Sequence, residues 1–145
     1  MNQIILKKSN LMKRRYQIDS FPIPLWQIEQ AIIDQGFDII IINGLCKSCI
    51  IKNSVYLPHN YDSISRVLLA HELGHILCHN CDIHRLDDAT KRKYESQADA
   101  FSAYFLIPIR RFKIDSKIYN SYELSELYGV PVEFIDSCVK KYLTN

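Results

Sequence analysis

At 145 residues, with 48% apolar and 23% charged residues, the chain has the composition of one globular domain rather than a disordered segment. A net charge of +2 is too small to argue for nucleic acid or an acidic substrate. No stretch approaches the roughly 20 apolar residues that a membrane-spanning helix needs, and Ile4-Ile5-Leu6 is followed at once by Lys7-Lys8, which is too short for a signal peptide.

The first 18 residues carry Ile4, Ile5, Leu11, Met12 and Tyr16 at helical spacing, which predicts a basic amphipathic arm. Its Lys7, Lys8, Lys13, Arg14 and Arg15 read as solvated surface. Pro22 and Pro24 break the pattern, because proline cannot continue a helix and disfavours helical backbone in the residue before it. A second helix is expected over 25–36, with Leu25, Ile28, Ala31 and Ile32 on one side and Gly36 as its stop.

The β-branched run at 37–42 then reads as a strand buried on both faces. Residues 49–58 read as a hairpin around Lys52-Asn53. A helix follows from about 64 to 79, capped by Asp62 or Ser63, and another from about 90 to 106, capped by Asp88 or Thr90 and ended by Pro108. Tyr94, Ala98, Phe101 and Phe105 form the expected buried stripe of the latter. The tail, 120–145, reads as a short helix, a turn at Gly129 and a last helix. The order of elements predicts one α+β domain over 1–145, a small sheet packed with helices.

Residues 71–75, HELGH, carry the chemistry. Helix positions i and i+4 share a face, so His71 and His75 can offer both imidazoles to one metal ion. Glu72, about 100° round the helix, is placed to act as general base toward a water. A catalytic zinc also wants a third protein ligand. The pattern HExxHxxGxxH fails here, because Cys78 and Cys81 stand where it needs glycine and histidine. Glu95 and Asp99, at i and i+4 on the next helix, are better placed. Glu95 could complete a His-His-Glu set, and Asp99 could hold the Nδ1 proton of a ligand histidine. The competing reading is a pair of exposed carboxylates near Lys91 and Lys93.

Cys46-x-x-Cys49 and Cys78-x-x-Cys81 offer a second, structural metal site, but the 28 residues between them exceed usual ribbon spacing. Five cysteines, an odd number, suggest reduced thiols and a cytoplasmic protein. His79, one turn beyond His75, reads as a surface residue in preference to a place in the metal's outer shell, and His84 as a neighbour without a role.

The stretches LLAHELGHILCH (68–79) and ESQADAFSAYFLIP (95–108) resemble those of the ImmA/IrrE-type zinc metallo-endopeptidases. The likeness extends over about 20–140, with departures at Tyr104 and Ile107. It implies one zinc on His71, His75 and Glu95, with Glu72 as acid/base. It also implies a protein substrate, a helix-turn-helix repressor of phage, mobile-element or stress-response type. An oxyanion-stabilising group is expected from Tyr94, Tyr104 or a C-terminal tyrosine, and a substrate strand is expected to pair with an edge near 50–57. The rival reading is a non-catalytic, zinc-stabilised module that binds protein or DNA. Its helix-turn-helix-like tail carries Glu133 and Asp136 before Lys140 and Lys141, a poor balance for phosphate contact. Sequence alone leaves the oligomeric state open.

Overall fold

A computed structural model describes residues 2–59, 62–79 and 85–144. Helix α1 (Gln3–Arg15) and helix α2 (Leu25–Asp34) lead into a three-stranded sheet of β1 (Asp38–Ile41), β2 (Cys49–Ile51) and β3 (Ser54–Leu57). The long helices α3 (Asp62–Cys78) and α4 (Asp88–Leu106) follow, then α5 (Ile109–Asp115) and α6 (Ser121–Tyr128). The chain closes with α7 (Val132–Phe134), a π turn (Ile135–Val139) and α8 (Lys140–Leu143). The α+β expectation holds.

The sheet runs β1-β3-β2, with β1 parallel and β2 antiparallel to the central β3. Only the middle strand has the alternating burial of a packed sheet: Val55 and Leu57 join the core. The isoleucine run does not behave as expected. Ile40 and Ile41 are 39% and 49% exposed, so β1 is an open edge rather than a strand covered on both faces. β-branched residues favour extended backbone in either setting, and composition cannot say which neighbours cover them.

Helices α3 and α4 pack antiparallel, and one residue sets how closely. A Cβ at Gly74 would lie 3.0 Å from Phe101 Cβ and 3.2 Å from Ala98 Cα, both fixed to the α4 backbone. Glycine therefore lets the two backbones approach. Phe101 and Phe105, stacked at 5.5 Å, fill the core beneath with Leu69, Leu73, Ile28 and Ile32. The start of α4 lies one residue before the expected cap: Asp87 accepts from Thr90 N at 2.7 Å.

Helix α1 packs along α4 and reaches a carbonyl near the carboxyl end of each long helix. Lys8 Nζ donates to Leu77 O at 2.8 Å and Lys13 Nζ to Tyr104 O at 2.7 Å. Each lysine meets carbonyls that the helix leaves unpaired, at its negative end. Two of the five basic residues assigned to solvated surface thus fasten the arm to the body. In the tail, Gly129 adopts φ 65° against Pro22 and Arg66, where a Cβ would come within 2.7 Å of Pro22 Cβ. Phe134, Ile135, Cys138, Val139 and Leu143 are buried, so the would-be recognition helix spends its apolar face on the core.

Candidate metal centre

The helix pair brings three of the expected residues to one point. His71 and His75, one turn apart on α3, are separated by 3.1 Å between their Nε2 atoms. Glu95, on α4, bridges them: Oε2 lies 2.9 Å from His71 Nε2 and Oε1 3.2 Å from His75 Nε2. Among the described residues, this is the one group of three or more His, Cys, Asp or Glu side chains whose ligand atoms converge. Asp99, one turn beyond Glu95, meets the other ring nitrogen of His71, with Oδ1 2.9 Å from Nδ1. An acceptor at Nδ1 keeps the proton there and turns Nε2 toward the cluster.

The donor set fits a zinc ion. Two imidazole nitrogens and a carboxylate are zinc's usual nitrogen and oxygen ligands, and bonds of about 2.0–2.1 Å in a tetrahedron separate neighbouring ligand atoms by about 3.3–3.4 Å. The two nitrogens lie 3.1 Å apart and each meets a different carboxylate oxygen at 2.9 and 3.2 Å, a few tenths of an ångström closer and at hydrogen-bond distance. Electrostatics follow from the same contacts. Burial alone would lower the His71 pKa, but the bonds to Asp99 and Glu95, with the charge of Glu72, outweigh it and push the value up to about 10. The two imidazoles in turn hold the Glu95 carboxyl far below the ordinary carboxylate range.

Glu72 is 4% exposed, and its Oε1 accepts from Ser48 Oγ at 2.9 Å. Ser48 directly precedes β2, so this bond ties the start of an edge strand to the glutamate of HELGH. Sequence reading missed Ser48, since one serine in an irregular loop carries no periodic or motif signal. His79 also differs from its expected surface role. It is half-buried, its Nδ1 lies 3.0 Å from His75 Nδ1, and its Nε2 lies 2.7 Å from Gln97 Oε1. Its ring stacks on Tyr94 with centroids 4.0 Å apart. Burial pulls its pKa below the ordinary histidine value.

The remaining candidates separate. Tyr104 is 1% exposed, with its hydroxyl bonded to Asn2 N at 3.3 Å, and Tyr94 is half-buried against His79. Cys46, Cys49 and Cys78 are free thiols that join no convergent ligand group among the described residues, while Cys81 and His84 lie outside those residues. Within 50–57, β3 is paired on both sides, so only β2 presents an open edge.

The fold thus brings His71, His75 and Glu95 together as a candidate metal-binding group carried by two packed helices. The chain belongs to the Peptidase M78 family, whose IrrE N-terminal-like domain model matches residues 53–139, from the hairpin's turn to the π turn. No curated protein matches the chain. A solved structure described as a Mycobacterium tuberculosis transcriptional regulator superposes with a TM-score of 0.68 at 16% identity, covering 92% of this chain. That likeness is one of fold, and the chain spans 45% of the length of that structure. Among the described residues, no helix is long and apolar enough to cross a membrane.

Proposed function

We propose that the chain is a zinc-dependent endopeptidase in which His71, His75 and Glu95 hold one zinc ion and Glu72 is the general base. The observation that carries this reading is the convergence of two imidazole Nε2 atoms and one carboxylate beside a buried glutamate on the same helix. A zinc ion held there would supply Lewis-acid polarisation of the scissile carbonyl and a lowered pKa for a water. Glu72 takes that water's proton on a carboxylate oxygen and passes it to the leaving amine nitrogen. Asp99 holds the His71 ring so that Nε2 faces the cluster. The Ser48 hydroxyl donates to Glu72 Oε1 and orients the carboxylate.

The open edge of β2 begins beside Glu72, which supports a reading in which an added substrate strand lies across the site. We propose a DNA-binding repressor of the helix-turn-helix kind as substrate, in the cytoplasm, with residues 1–145 acting as one domain. The support is the family's metallopeptidase type and the resemblance carried by HELGH and the Glu95 helix. Co-expression with a candidate helix-turn-helix repressor tests this. Wild type cleaves the repressor and Glu72→Gln leaves it whole; cleavage by both would place the chemistry elsewhere.

A further inference from the structure

His79 and Gln97 have no part in the site as described so far, yet they complete a line of contacts that ends on a proposed ligand. His75 Nδ1 lies 3.0 Å from His79 Nδ1, and His79 Nε2 lies 2.7 Å from Gln97 Oε1. Building on the zinc site proposed above, we infer that Gln97 and His79 form a relay that sets the tautomer of His75, as Asp99 does for His71.

The relay has a direction. A carboxamide oxygen can only accept, so His79 carries its proton on Nε2 and presents a lone pair at Nδ1. That lone pair accepts from His75 Nδ1–H, and His75 Nε2 is left with its own lone pair facing His71 and Glu95. With the amide of Gln97 turned the other way, its NH2 group would donate to His79 Nε2. His79 would then donate from Nδ1 to His75, and the His75 proton would move to Nε2, where it blocks coordination. Only the first direction leaves a ligand.

The surroundings hold the relay in place. The His79 ring lies within 11° of parallel to Tyr94, and Tyr94 and Gln97 stand three residues apart on one face of α4. The same helix therefore supplies Glu95 as ligand, Asp99 as partner of one histidine and Gln97 as remote partner of the other. His79 and Gln97 are positioning residues: they reach no reacting atom and act through His75.

Two substitutions separate positioning from packing. His79→Phe keeps an aromatic ring against Tyr94 and removes both nitrogens, while His79→Gln restores a carbonyl that can accept from His75 Nδ1–H. Zinc affinity is measured on the full chain by competition with a chelator. Histidine tautomers are read from nitrogen-15 spectra of the zinc-bound protein. The expected result is a loss of about 10–100-fold in zinc affinity for His79→Phe, largely recovered in His79→Gln. His75 in wild type should carry its proton on Nδ1 and His79 on Nε2. Unchanged affinity in His79→Phe, or a His75 proton on Nε2, would overturn the relay. A wild type that binds no zinc at all would sink the peptidase reading and the relay with it, whereas zinc binding that His79→Phe leaves unchanged would sink the relay alone.

Discussion

Ser48 Oγ donates to Glu72 Oε1 across 2.9 Å, joining the first residue before an edge strand to the glutamate that HELGH places inside the fold. A hydrogen bond to a charged group contributes about 1.5–3 kcal/mol. In Ser48→Ala the carboxylate loses its orienting donor but keeps its chemistry. Cleavage of the repressor should fall by roughly tenfold or more, with zinc content unchanged. Equal rates for the two proteins would show that the bond is incidental to Glu72's work.

Glu72→Gln keeps an acceptor for Ser48 and nearly the same volume while removing the base. General-base catalysis contributes about 100- to 10,000-fold, and a loss of that size is expected. Metal content should stay at the wild-type level, because Glu72 is no member of the ligand group. A variant that lost zinc along with activity would instead make Glu72 a ligand or a structural support.

Gly74 shows which half of the motif is packing. Alanine there gains about 1 kcal/mol in helix propensity, but its Cβ would press on Phe101 Cβ and Ala98 Cα at 3.0 and 3.2 Å. Overpacking of this kind costs about 1–3 kcal/mol, so Gly74→Ala should melt below wild type in the zinc-free state. Zinc should also bind more weakly, since forcing α3 from α4 moves Glu95 away from both histidines. A raised melting temperature would mean that the helices can part without strain.

Lys13 gives the arm a pH signature. Burial pulls its pKa down to about 8, below the ordinary 10.5, although its ammonium donates to Tyr104 O. Between those two values the unfolded chain holds a proton that the folded chain has released. Stability should therefore gain as pH rises from about 8 to about 10.5. Lys13→Met lacks this gain, and other groups titrating in the window cancel when the two proteins are compared by urea unfolding. Identical pH profiles would show that the Lys13 ammonium is well hydrated.

The motif-bearing helices were legible because their signals are local. HELGH and the Glu95-x-x-x-Asp99 spacing follow from the 3.6-residue period, and Asp, Ser and Pro mark the helix ends to within a residue or two. What was not legible depends on which distant segment arrives beside a residue. Ile40 and Ile41 are β-branched whether or not anything covers them, and here they stay 39% and 49% exposed. His79 reads as surface until α4 brings Tyr94 and Gln97 against it. Lys8 and Lys13 read as solvated until the arm brings each to a carbonyl in the last turn of a long helix. Ser48 has no counterpart in any pattern and is found only by following the hydrogen bonds of Glu72.

Zinc content per chain, measured by elemental analysis for wild type and Glu95→Ala purified side by side, tests the centre most directly. One zinc in wild type with marked loss in the variant is the expected result, because Glu95 bridges both imidazoles from the opposite helix. A wild type without metal after gentle purification, or a variant that holds zinc as tightly, would contradict the His-His-Glu assignment and the peptidase chemistry built on it.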